Sequence, residues 1–258
     1  MRVLEAGEAR AEIDAQQGGR LAALRVRDLD LLVPPGGDLL RWGLYPMAPW
    51  AGRVRHGRFA FRGAVHQLPL NLPPHAIHGT AVTRAWTDEG EGRLTIDLGP
   101  DWPFPGRAVQ AVRLDAHALH LRLEVHAQGE PFPASLGWHP WFRRRLARGG
   151  DAQLRLPARA MYLRDADGIP DGRTGAPPPG PWDDCFTQLE GSPVLTWPGA
   201  LHLELESSVD HWVVYDEPEH ALCVEPQSGP PDALNLAPRV VAPGRPLVAG
   251  ASLRWELE

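Results

Sequence analysis

From Leu119 to His126 the chain reads Leu-His-Leu-Arg-Leu-Glu-Val-His, apolar at every odd position and polar at every even one. Such alternation belongs to a strand with one buried face, because successive side chains point to opposite sides of a sheet. The pattern returns at 94–98, 201–206 and 253–258, and in shorter form at 11–14, 58–62 and 153–156. No segment sustains a helical stripe over ten residues or more, and the nearest candidate, 142–148, gives one or two turns. Turn signals fall between the alternating runs, as at Pro34-Pro35-Gly36-Gly37 and Gly149-Gly150-Asp151. The longest such stretch, 165–184, carries Pro177-Pro178-Pro179 and is the best linker candidate. Strand-like segments flank it on both sides, however, and loops this long inside compact domains are often functional. With no internal repeat and no shift in composition, the reading is all-β: one large antiparallel β-sandwich domain over residues 1–258.

Composition narrows the function classes. A net charge of −6 argues against a nucleic-acid partner, which calls for a basic face. All the basic residues are arginine, which points to genomic bias rather than function. Two cysteines, Cys185 and Cys223, give no disulfide framework and suit a reducing compartment. Residues 1–14 are charged throughout and lack the apolar stretch of a secretory signal. No apolar run approaches the ~20 residues that span a bilayer. The expectation is a soluble, cytoplasmic protein with no membrane partner, its oligomeric state open.

Four places carry chemistry. Arg53 sits in an arginine-rich connection, Pro46 to Phe59, and offers a planar fork of donors for hydroxyls or carboxylates, unless it is simply solvated. His75 and His78, three apart, are open to three readings: metal ligands, structural histidines or substrate contacts. A catalytic zinc usually takes three protein ligands, and no third of matching type follows nearby. His139 stands between Trp138 and Trp141; aromatic faces pack on the apolar side of a sugar ring and imidazole supplies a proton near neutral pH. An aromatic core cluster with a histidine at its rim explains the same residues. Glu225 ends an apolar, strand-like run just before Pro226, which is expected to stop ladder pairing, and shares a face with Gln227 if the chain stays extended.

Taken in order, these elements resemble the aldose 1-epimerase (galactose mutarotase) family along nearly the whole chain. The carriers are Gly52-Arg53 before Gly57-Arg58-Phe59, then His78-Gly79, His139-Pro140-Trp141-Phe142, Asp183-Asp184-Cys185-Phe186, and Glu225-Pro226-Gln227 with Ala233-Leu234-Asn235. The resemblance implies a mutarotase-like β-sandwich with its sugar site in an open cleft. Carried over, it implies Glu225 as general base and His139 as general acid, with Arg53, His78, Asp183 and Gln227 binding hydroxyls or the ring oxygen. Two departures bear on which sugar is used: Gly52 stands where the family usually has asparagine, and the chain is shorter than the better-known galactose mutarotases.

Mutarotation opens a cyclic hemiacetal and closes it on the other face. One group takes the anomeric hydroxyl proton while another protonates the departing ring oxygen, so no cofactor or metal is implied. With Glu225 ionised and His139 protonated, the pH profile is expected to be bell-shaped, its acid limb from the carboxylate and its alkaline limb from the imidazole. Trp138 or Trp141 is the expected aromatic platform. The Arg143-Arg144-Arg145 run suggests an anionic ligand such as a sugar phosphate, or a solvated turn. Four alternatives stay open: a hexose-6-phosphate 1-epimerase, a non-catalytic carbohydrate-binding protein, a glycoside hydrolase using Asp183 with Glu225, and a ligand-binding regulator on a mutarotase-like scaffold.

Overall fold

The computed structural model describes residues 1–258. Its alternating segments become the strands of two large sheets, one of eleven strands and one of eight. In the eight-stranded sheet, Gly106–Leu114 pairs with Ala118–Ala127 in an unbroken antiparallel ladder, Gly106 against Ala127 through Leu114 against Leu119. The C-terminal strand Leu247–Leu257 then inserts between Ala118–Ala127 and Leu201–Ser207. Along 118–127 the alternation does what its period requires: Leu119, Leu121, Leu123 and Val125 are buried while Arg122 faces water.

The eleven-stranded sheet presents Trp138, Phe142, Phe186, Trp212 and Val224 to the same interior. Together with the leucines of the opposing sheet they form one contiguous core of 54 buried residues. Trp197 ties the layers. It is fully buried on the eight-stranded side, and its Nε1–H donates to the Arg143 carbonyl of the other sheet at 3.1 Å.

Helix is confined to Ala233–Leu236 and a single 3-10 turn at Arg55–Gly57. The helical turns expected at 142–148 do not form: the strand Gly137–Arg143 runs through Phe142, whose ring belongs to the core, and the chain then turns. The 165–184 stretch is not a linker either. It contains the strand Pro170–Gly175, paired with Ala158–Arg164 at the edge of the large sheet. Nor does Pro226 end its ladder, since Ala221–Gln227 stays paired through Pro226, opposite Trp212, to Gln227. No helix is long and apolar enough to cross a membrane.

Candidate active site

Five neighbouring strands of the eleven-stranded sheet make the floor of the site: Leu44–Met47, Gly137–Arg143, Ala221–Gln227, His211–Tyr215 and Asp183–Leu189. Their registers line up. Tyr45 lies opposite His139, and the pairs Gly137 with Gln227 and Trp141 with Cys223 set His139 opposite Glu225. Glu225 in turn faces Val213, which faces Cys185; in the next row Cys223 faces Tyr215, which faces Asp183. Because side chains two apart share a face, one face of this sheet carries His139 with Trp141, Cys223 with Glu225 and Gln227, and Asp183 with Cys185. The intervening residues, Trp138, Phe142, Val224 and Phe186, fill the core. Period two thus builds core and site from the same strands.

A short ladder, Arg53–Val54 with Ala76–Ile77, forms the wall. His78 is held there by its N–H to the Gly52 carbonyl at 3.1 Å, and Asn71 bonds both backbone groups of Ile77 beside it, at 2.9 and 2.8 Å. Gly52 has φ 69, and a Cβ there would lie 3.1 Å from Pro231; the Pro230-Pro231 turn occupies the space a side chain at 52 would need.

Arg53, His78, His139, Asp183, Glu225 and Gln227 all line one open cavity of about 360 Å³. His139 Nε2 lies 3.2 Å from Glu225 Oε1, both side chains almost wholly buried. Gln227 Nε2 donates to the other carboxyl oxygen, Oε2, at 3.0 Å, which leaves Oε1 toward the imidazole. His139 is stacked on Trp141, with ring centroids 5.3 Å apart and planes within 10°, and has Tyr45 on its other flank at 4.8 Å. His78 meets it edge-on at 5.1 Å. Arg53 Nη2 donates to Asp183 Oδ2 at 3.0 Å. Four buried atoms of residues lining this cavity, Gln227 Oε1, His78 Nδ1, His139 Nδ1 and Trp141 Nε1, have no hydrogen-bond partner within the protein. Buried polar atoms are rarely left so, because each forfeits about 1–3 kcal/mol.

Burial governs the charges. It pushes the Glu225 carboxyl well above the usual carboxylate range, and Asp183 adds to the rise, while the Gln227 hydrogen bond and Arg53 oppose it. Burial likewise pushes His139 well below its ordinary value, with His78 contributing. His78 falls to about 3 through burial and then the Arg53 charge. Burial thus disfavours charge on both Glu225 and His139 and works against the ionised pair expected from sequence.

Other expectations change as well. Trp138 is not the platform: it faces the core and donates its Nε1–H to Gln110 Oε1 at 3.2 Å, whereas Trp141 lines the cavity. The arginine run lies outside the cavity. Arg143 and Arg144 are spent on backbone carbonyls, such as Leu32 at 2.8 Å and Asp216 at 2.7 Å, and Arg145 pairs with Asp151 at 2.8 Å. His75 is structural, its Nδ1 accepting the His56 N–H at 3.1 Å. Tyr45, Arg164 and Asp184 also line the cavity and were not singled out by sequence reasoning. Tyr45 had one available signal, its place next to the Pro46-Met-Ala-Pro segment.

Known proteins share this fold. The chain is 30% identical over 137 residues to the uncharacterized protein YphB of Escherichia coli, a match covering 50% of this chain and 47% of that one. With the uncharacterized protein YihR of the same organism it shares 28% over 181 residues, 65% of this chain and 58% of the other. The chain thus spans about half the length of the curated relatives it matches. Among solved structures, a galactose mutarotase-like protein from Clostridium acetobutylicum superposes with a TM-score of 0.88 at 16% identity, covering 99% of this chain and 95% of that one. Galactose 1-epimerase from Lactobacillus acidophilus gives 0.81 at 17%, covering 99% and 93%. At these identities the likeness is one of fold. The family model for aldose 1-epimerase matches residues 3–258. The chain belongs to the aldose 1-epimerase family.

Proposed function

We propose that this protein interconverts the α and β anomers of a free, uncharged aldose, the whole of residues 1–258 acting as one catalytic unit. The observation that carries the reading is the 3.2 Å approach of His139 Nε2 to Glu225 Oε1 on the floor of a cavity walled by hydroxyl-directed side chains. A pyranose bound with its O1–C1–O5 unit across this pair presents one oxygen that must lose a proton and another that must gain one. Glu225 removes the proton from O1 as the C1–O5 bond breaks, and His139 delivers its proton to O5. Rotation about C1–C2 turns the other face of the aldehyde, and the same two groups reverse their tasks to close the ring. Protons balance at every stage, so the singly protonated pair returns to its starting state. Hydrogen bonds to Glu225 from Gln227 and from the sugar favour the carboxylate and so oppose the effect of burial when substrate is bound. Each such proton transfer is worth on the order of 10²–10⁴-fold.

An uncharged sugar fits the lining best. Each guanidinium in the cavity has a carboxylate partner: Arg41 with Asp38 at 3.1 Å, Arg53 with Asp183 at 3.0 Å, and Arg164 with Asp184 at 2.6 Å. Glu217 and Glu225 add further acid to the lining without added cations. A phosphate dianion there meets net negative charge instead of an open arginine fork. An anomerisation panel of free hexoses, pentoses and their phosphates tests the proposal. Acceleration confined to uncharged aldoses supports it; preference for glucose 6-phosphate over glucose contradicts it, and binding without anomer exchange leaves a carbohydrate-binding protein.

A further inference from the structure

Asp183 lies along the cavity floor from Glu225, and its charge still acts on that carboxyl. Its strand lies two strands away from the Glu225 strand, with His211–Tyr215 between them, about 9–10 Å between axes. A pyranose whose C1 rests at His139 and Glu225 extends its C3 and C4 hydroxyls toward Asp183. The Asp183 carboxylate there is flanked by two guanidiniums, and they differ. Arg53 Nη2 bonds Asp183 Oδ2 directly at 3.0 Å, whereas Arg164 Nη1 stops 3.9 Å from the same oxygen. That separation is too long for a hydrogen bond. It matches a slot in which one hydroxyl accepts from Nη1 and donates to Oδ2, with ordinary contact distances to both.

Arg164 is locked in the orientation this slot needs. Its Nε and Nη2 hold the two oxygens of Asp184, at 2.6 and 3.3 Å, in a fork that fixes the guanidinium plane. Asp184 is itself 7% exposed, so the anchor is rigid. The fork consumes Nε and Nη2 and leaves Nη1 over the cavity, which Arg164 lines. We infer that Arg164 is a specificity-determining residue that, with Asp183, reads one hydroxyl on C3 or C4 of the aldose. The inference rests on the anomerisation reading above. Arg53 Nη2 is already engaged with Asp183 Oδ2, while that carboxylate oxygen keeps a further lone pair for the hydroxyl.

The test compares wild type, Arg164→Gln and Arg164→Lys in anomer exchange of glucose, 3-deoxyglucose and 4-deoxyglucose. Expected for Arg164→Gln is a loss of about 10–100-fold in kcat/KM on glucose, carried by KM, since the lost contact is a hydrogen bond to a charged donor made before and during reaction. For one of the two deoxy sugars wild type falls by a similar factor, and the substitution costs little more. Arg164→Lys keeps the charge but not the fork, and shows the same coupling if Gln at this position prevents folding. Equal losses on all three sugars, or no loss on any, overturn the inference. Wild type that exchanges no aldose at all overturns the anomerisation reading and this inference with it, whereas an active wild type without coupling removes only Arg164.

Discussion

Glu225 and His139 are two groups that burial drives toward neutrality, with His139 Nε2 3.2 Å from Glu225 Oε1. In the proposed exchange the two groups carry one proton between them, so the pH limits of activity are gain of a second proton and loss of the last. A second proton is resisted because His139 is depressed, so the acid limb lies below the usual imidazole range. Loss of the last proton is resisted because Glu225 is raised, so the alkaline limb lies above the usual carboxylate range. The expected kcat profile is a plateau at neutral pH falling on both sides, and a single rising limb with an ordinary carboxylate midpoint is the result that contradicts it. His78 makes a separate contribution to stability. Its folded value of about 3 lies below the unfolded value near 6.5, so its share of stability is whole above pH 6.5 and is lost as pH falls toward 3. Across that window the loss is on the order of 5 kcal/mol. His78→Gln is therefore expected to flatten the decline of unfolding free energy between pH 7 and 4, as read by urea denaturation at each pH; an unchanged decline counts against the assignment.

The geometry of the candidate site is a property of strand register. The strands Gly137–Arg143 and Ala221–Gln227 approach closely at Gly137, where a Cβ would lie 2.5 Å from the Pro226 carbonyl oxygen. Gly137→Ala must push these strands apart or slide them, and both separate His139 from Glu225. The expected cost is about 1–3 kcal/mol of stability, with a fall in kcat larger than the loss of folded protein explains; a stable variant with full turnover contradicts it. Most strands were legible because one buried face imposes a two-residue period, as along 119–126. The four-strand juxtaposition of Trp141, Cys223, Tyr215 and Asp183 was not, since register between distant segments leaves no local trace. Phe142 shows the limit at strand ends: followed by an arginine run, it suggests a helical turn, yet core packing of its ring keeps the chain extended. Trp138 and Trp141 are equally aromatic in sequence, and only the phase of the strand decides which faces the cavity. Arg164 carried no signal at all, because its meaning comes from Asp183 and Asp184 across a sheet edge.

At the scale of the molecule, two sheets share one core, and the back of the eleven-stranded sheet is both core lining and scaffold of the site. Trp197 joins the sheets by packing and by its bond to the Arg143 carbonyl, at the end of the strand that carries His139. Trp197→Ala is expected to cost about 3–5 kcal/mol by the cavity it leaves, and Trp197→Phe less, both measurable as shifts in denaturant midpoint; a cost below about 1 kcal/mol for the alanine variant contradicts a shared core. The family and the sandwich architecture were legible from short motifs in order along the chain, while the proton state of the site was not, because it depends on how deeply the whole fold buries two side chains. The most direct measurement is saturation-transfer NMR of glucose anomers with wild type, Glu225→Gln and His139→Gln, sugar binding being followed in the same samples. Expected is fast exchange with wild type and a loss of at least about 10²-fold in each variant, with glucose still bound. Exchange that survives either substitution, or that wild type never shows, contradicts the assignment of the paired imidazole and carboxyl as the groups that move the protons.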